Sequence, residues 1–207
     1  MLQVAGKPGR CCTVSRVSRP LRADAERTVR TILEAAERVL SADPAATMEQ
    51  IAEAAGVART TVHRRFATRD ALIDALTAWA VRRLADAVDA APGPSTPPLV
   101  TLYQVTANIL EVKIGWGFAM TRAGRSSDPE VVRVQEEIAA QCDDLFRRAR
   151  EAGVVRNDVD PLWARRVYYA LLYEASTARD TEDLGALATL VVDTLLRGIA
   201  AGPGRGV

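Results

Sequence analysis

A single histidine, His63, is all the imidazole that 207 residues contain. A multi-histidine metal site therefore cannot be built, and a Ser-His-Asp arrangement would have to sit at that one position. Cysteine is nearly as scarce, with only Cys11, Cys12 and Cys142. An odd number, two of them adjacent, and no Cys-x-x-Cys pair argue against a disulfide framework and for free thiols in a reducing cytosol. Neither phosphate-cradling glycine motif, Gly-x-x-x-x-Gly-Lys or Gly-x-Gly-x-x-Gly, occurs. A small helical enzyme would be left with carboxylates alone, so no catalytic residue, metal site or cofactor is expected. No apolar run approaches the ~18 residues that span a bilayer. The membrane is not an expected partner, and the chain reads as cytoplasmic.

Acids are missing from residues 1–22, which carry five basic residues and no apolar segment of the secretory kind. That stretch reads as a disordered basic arm. Lysine is almost absent too: of 27 basic residues only Lys7 and Lys113 are lysine. The formal net charge is +1, but it is unevenly spread. Residues 1–83 hold 14 basic against 9 acidic residues, which leaves 13 against 17 for residues 84–207. A positive front and a mildly acidic back suggest two jobs in one chain.

What is present in quantity is helical periodicity, with no sustained two-residue alternation. Val29, Ile32, Leu33, Ala36, Val39 and Leu40 form one apolar stripe from Asp24 to Leu40. Thr47 opens a second helix, with Gln50 completing a capping box. Gly56 supplies the tight turn, and a short third helix covers Arg59 to Arg65. Thr68 caps a fourth helix through Leu84, and "APGPSTPP" from Ala91 is a break. Beyond it, helices are expected over Leu99–Gly115, Pro129–Ala152, Pro161–Ala178 and Glu182–Ala200, with an irregular piece around "GWGFAMTRAGRSSD". The fold class is all-α. Residues 23–70 read as one domain, 71–202 as a second, and 203–207 as a frayed tail.

Two short helices joined by a glycine turn, the second one basic, form a helix-turn-helix. In that motif the second helix enters the major groove with its N-terminal residues on base edges. Arg59 and Thr60 lie at that leading end, where an arginine grips guanine O6 and N7 together. Thr47, Thr61, His63, Arg64 and Arg69 are placed to touch backbone phosphates. An αα-hairpin with a solvated charged face is the competing reading of the same spacing.

Residues 47–72, "TMEQIAEAAGVARTTVHRRFATRDAL", resemble the N-terminal domain of TetR-type transcriptional regulators. Thr47, Ile51-Ala52, Ala55-Gly56-Val57, Phe66 and Leu72 stand at that family's positions. The resemblance implies a dimeric, ligand-responsive regulator, most simply a repressor, with double-stranded operator DNA and a small-molecule effector as partners. The chain departs from the family pattern at three positions. His63 stands where the family usually has a phosphate-contacting tyrosine, Arg69 where it often has lysine, and Ala58 where serine is common. Ala58 removes a side-chain cap from the third helix. A helical ligand-binding or interaction module with a non-functional DNA head is the alternative these departures keep open.

By resemblance, the last two helices form the homodimer interface. Leu187, Leu190, Val191, Thr194 and Leu195 offer an apolar face on the last helix, with Trp163 and Val167 on the one before. The competing reading is that some of these residues fill the chain's own core. Candidate effector contacts are the aromatics and methionine Tyr103, Trp116, Phe118, Met120 and Tyr169. Lys113 and Glu174 are charges in apolar stripes. Buried charge is normally paired or functional, so they either pair, face a ligand or lie at the surface.

Overall fold

The structure is a computed structural model that describes residues 18–177 and 183–199, with side chains for 23–177 and 183–198. The N-terminal arm up to residue 17, its two cysteines and the expected frayed tail lie outside the described residues. The described chain folds as α1 (Ser18–Ala42), α2 (Met48–Ala54), α3 (Arg59–Arg65), α4 (Arg69–Asp89) and α5 (Pro98–Gly115). There follow α6 (Gly117–Ala123), α7 (Pro129–Glu151), α8 (Pro161–Thr177) and α9 (Leu184–Ile199). No extended strand occurs among the described residues.

Local chemistry sets the boundaries. Thr47 and Gln50 close the expected capping box at α2: the Thr47 amide donates to Gln50 Oε1 at 2.7 Å and the Thr47 hydroxyl accepts from the Gln50 amide at 3.3 Å. The turn after α2 is a Schellman motif. Gly56 has φ +66, its amide donates to the Glu53 carbonyl, and the Val57 amide donates to the Ala52 carbonyl. Gly153, at φ +73, ends α7 in the same way, with Val154 donating to Ala149. Thr68 caps α4 through the Ala71 amide, and Asp128 caps α7 through Glu130 and Val131.

Three expectations need correction. Helix α1 begins at Ser18 and so takes in the last five residues of the stretch read as an arm. Pro20 falls in its first turn, where a missing amide costs nothing. Helix α4 runs on to Asp89, five residues past the expected end, because Leu84 and Val88 find partners in the C-terminal core. The piece read as irregular contains α6. Trp116, at φ −131 and ψ 40 between Gly115 and Gly117, breaks the path of α5 and turns the chain into this new helix.

The N-terminal core gathers Ile32, Leu33, Leu40, Ile51, Val62 and Phe66 around Leu72, Ile73, Leu76 and Ala80 of α4. It crosses residue 70, the expected domain boundary, and it also encloses Ala119 of α6. The C-terminal core packs α5, α7, α8 and α9 around Leu110, Phe146, Tyr168 and Leu195. A third, smaller cluster joins Val81 of α4 to Ala123 and to Val131, Val134 and Ile138 of α7. Helix α4 therefore contributes to every core.

Candidate nucleic-acid interface and effector cavity

The α2–turn–α3 unit stands at one end of the molecule with its polar residues outward. Thr47, Arg59, Thr60, His63 and Arg64 are exposed, while Thr61 is half-buried beside the fully buried Val62. Arg65, which was not among the expected contacts, is exposed at the end of α3 as well. Ala58 makes no side-chain cap, so the amides opening α3 are left to backbone and solvent.

Two arginines are engaged within the protein. Arg59 Nη2 lies 2.7 Å from Glu49 Oε1 on α2, and its Nε–H points at His63 Nε2 at 3.5 Å. The backbone amide of Glu49, and then Arg59, hold the Glu49 carboxyl below its ordinary value. A guanidinium held by a neighbouring acid must change partners before it grips a guanine. Arg69 is turned inward: Nε donates to the Ala46 carbonyl at 3.1 Å and Nη2 to the Pro44 carbonyl at 2.6 Å. Its fork ties the start of α4 to the loop between α1 and α2 and braces the reading head, so two of its nitrogens are engaged within the protein.

Behind the head lie two adjoining cavities. One, of about 530 Å³, is lined from α4, α5, α7 and α8 and includes Val105, Cys142, Tyr168 and Tyr169. The other, of about 510 Å³, adds α6 and includes Leu84, Lys113, Met120, Arg125, Leu172 and Tyr173. Ile109, Ile138 and Tyr169 line both. Of the expected effector contacts, Lys113, Met120 and Tyr169 thus meet at one cavity. Phe118 faces a neighbouring groove that Lys113 also lines.

The remaining expected contacts fall elsewhere. Trp116 packs against Trp79 with ring centroids 4.5 Å apart and planes tilted by 49°, both half-buried against the N-terminal core. Tyr103 donates its hydroxyl to Asp193 of α9 at 2.5 Å, and this acceptor pushes the Tyr103 phenol up. Glu174 is exposed and is not paired with Lys113.

The expected dimer face is also divided. Leu187, Val191 and Leu195 are buried in the chain's own core, where they meet α5 and α8. Val167 is half-buried. Trp163, Leu190 and Thr194 point outward, and Leu190 is 62% exposed. Tyr173, 65% exposed on α8, was not anticipated as a cavity residue, yet it lines the second cavity. Its spacing of four residues from Tyr169, which lines the same cavity, was the available signal.

One side chain joins the two halves. Glu37 of α1, only 4% exposed, accepts from the Phe118 amide at 2.8 Å and the Ala119 amide at 3.1 Å. Ser41 donates to the same carboxylate at 2.9 Å. Burial raises the Glu37 pKa against these hydrogen bonds. No sequence spacing signalled this contact.

A family model for "bacterial regulatory proteins, tetR family" matches residues 32–76, from α1 through the start of α4. The HTH-type transcriptional repressor LfrR of Mycolicibacterium smegmatis is 33% identical over 182 residues, spanning 86% of this chain and 93% of that one. This chain belongs to the TetR family. It is a DNA-binding transcriptional regulator built on the family's helix-turn-helix and all-helical body. The crystal structure of LfrR from Mycobacterium smegmatis in complex with proflavine superposes with a TM-score of 0.72 at 30% identity, covering 86% of this chain and 99% of that one. A tetR-family protein from Rhodococcus RHA1 shares the fold at TM-score 0.72 and 16% identity, over 84% and 97% of the two chains. Among the described residues of this TetR-family chain no three metal-ligating side chains cluster, and no helix is long and apolar enough to cross a membrane.

Proposed function

We propose that this regulator is a repressor that binds a palindromic operator as a homodimer and is released by a small molecule. The observation that carries the reading is the double attachment of α6. Its Met120 and Thr121 line the cavity, while its Ala119 sits in the N-terminal core and its first amides are held by Glu37 of α1. A ligand that moves α6 changes what the reading head rests on. It shifts the balance of two head positions only as far as its affinities for them differ.

In this reading α3 enters the major groove, with Arg59 and Thr60 on base edges once Glu49 lets go. Thr47, Thr61, His63 and Arg64 meet phosphates. Trp163 and Leu190, with Thr194 beside Leu190 on α9, form part of a two-fold interface, which places two reading heads about 34–36 Å apart. The relative bound to proflavine supports a small-molecule site in the same fold. Such a regulator works in the cytoplasm, where its operator is.

The test is fluorescence anisotropy with DNA from upstream of the chain's own gene, across a range of salt. Affinity should be sequence-selective, and its logarithm should fall linearly with log salt as counterions are released. Absence of selective binding at every salt concentration sinks the reading.

A further inference from the structure

The cavity beside α6 holds two cations and no acid among its described lining residues. Lys113 and Arg125 line it, together with apolar walls from Leu84, Ile109, Ile138 and Leu172. No carboxylate lines it among the described residues, and none lines the neighbouring groove that Lys113 shares with Arg38; Asp89 and Asp144 line the other cavity, where Gln141 and Arg148 engage them. Glu174, the acid that stands in the neighbouring apolar stripe of the sequence, lies at the surface instead. No ion pair to Lys113 forms among the described residues. Burial accordingly holds the Lys113 ammonium below its ordinary pKa.

A cation half-withdrawn from water and left unpaired is costly, and an anion arriving at it recovers that cost. The same group repels a cationic ligand, whose charge would be desolvated beside it. The neutral polar groups on the same wall are already engaged, the Thr121 hydroxyl donating to the Gly117 carbonyl and Gln135 Nε2 to the Ala123 carbonyl. We propose that the effector of this regulator is an amphipathic anion, with an apolar or aromatic body against Leu84, Ile109 and Leu172 and a carboxylate or sulfonate head at Lys113. This deepens the reading above, since it rests on this cavity being the effector site. It also separates the chain from its relative, because proflavine is an aminoacridine that is cationic at neutral pH.

The test uses the full chain and three fluorescent probes: 1-anilinonaphthalene-8-sulfonate, its neutral counterpart N-phenyl-1-naphthylamine, and proflavine. The two naphthylamines share one body and differ by the sulfonate. The wild type should bind the sulfonate at least about tenfold more tightly than the neutral probe, the size of one charge-assisted hydrogen bond. Lys113→Met should abolish that preference, and Lys113→Arg should retain most of it. An unchanged sulfonate-to-neutral ratio in Lys113→Met overturns the proposal, and so does tighter binding of proflavine than of the sulfonate by the wild type. Operator binding by the same preparation, without probe, is scored separately. A chain that shows the Lys113-dependent preference but binds no operator refutes the repressor reading alone. A chain that binds operator but lacks the preference refutes this inference alone.

Discussion

Glu37 and Phe118 are 81 positions apart in the chain and joined by a 2.8 Å hydrogen bond, from the Phe118 amide to the Glu37 carboxylate. The carboxylate sits on α1, and the amide opens the helix that walls the cavity. Glu37→Ala leaves the amides of Phe118 and Ala119 without their acceptor in a buried place. We expect a loss of about 2–3 kcal/mol in stability, read by thermal or denaturant unfolding. Glu37→Gln keeps one acceptor oxygen but sets its NH2 against one of the two amides, so it should lose stability, though less than Glu37→Ala. Its operator complex should respond less to effector than the wild type does. An effector response of full size in Glu37→Gln would show that α6 signals by another route.

Arg59 is held by Glu49 in the free chain, so the two residues should have opposite effects on DNA. Glu49→Gln frees the guanidinium and removes an acid from the phosphate-facing side. Operator affinity should rise several-fold, most of all at low salt. Arg59→Ala should cut discrimination at one base position by at least about tenfold, while non-specific affinity falls less. Anisotropy against an operator and a set of single-base variants reads both. Lower affinity in Glu49→Gln would mean that the ion pair orients Arg59 for its base.

Leu187 and Leu190 lie three positions apart on α9, Leu187 buried in the core and Leu190 62% exposed. Leu187→Ala empties part of the core and should cost about 2–4 kcal/mol of stability. Leu190→Glu, or Trp163→Ala, should leave the subunit folded and weaken self-association. Sedimentation velocity against a circular dichroism melt separates the two effects. A Leu190→Glu chain that stays dimeric would move the interface off this face.

Lys113 should make stability depend on pH in a defined direction. Its folded pKa lies below the unfolded one, so between the two values the unfolded chain binds more protons. Stability of the wild type therefore rises as the pH climbs toward 10.5, the ordinary lysine value. Lys113→Met removes the penalty. Because the ammonium keeps part of its hydration, the gain at neutral pH should be no more than about 1 kcal/mol, or about 2–4 °C in melting temperature. The difference between variant and wild type should shrink near pH 10. A variant that melts lower than the wild type at pH 7 would mean that Lys113 has a stabilising partner in the assembled protein.

The reading head was legible because its signals are local. Thr47 caps with Gln50 three residues away, Gly56 turns the chain where it stands, and α3 begins and ends at the expected residues. The cavity was legible only in its pieces. Lys113, Met120 and Tyr169 could be singled out one by one, but their meeting depends on how α5, α6 and α8 cross. Trp116 was misplaced because a single residue at φ −131 and ψ 40 redirects the chain, and nothing in "IGWGF" sets that angle. The α9 stripe left two readings open for another reason. An apolar stripe says that a face is covered, and not whether the cover is the same chain or a second copy. Leu187, Val191 and Leu195 met their own core, and only Leu190 and Thr194 were left for a partner.

Helix α4 has 21 residues and is about 31 Å long at 1.5 Å per residue. Its first half is packed into the reading head, and its second half is packed beside the cavity. It is therefore a lever arm with its short stroke at the ligand. A tilt of only about 5° at the cavity end carries the other end through about 2.7 Å. In a two-fold pair the displacements oppose or add, so the gap between two recognition helices changes by up to about 5 Å. That exceeds the 3.4 Å rise between successive bases along a strand, so a small rotation takes both helices out of register with their half-sites. The gearing comes from the length of one helix, and the chain has it because α4 runs on to Asp89 without a break.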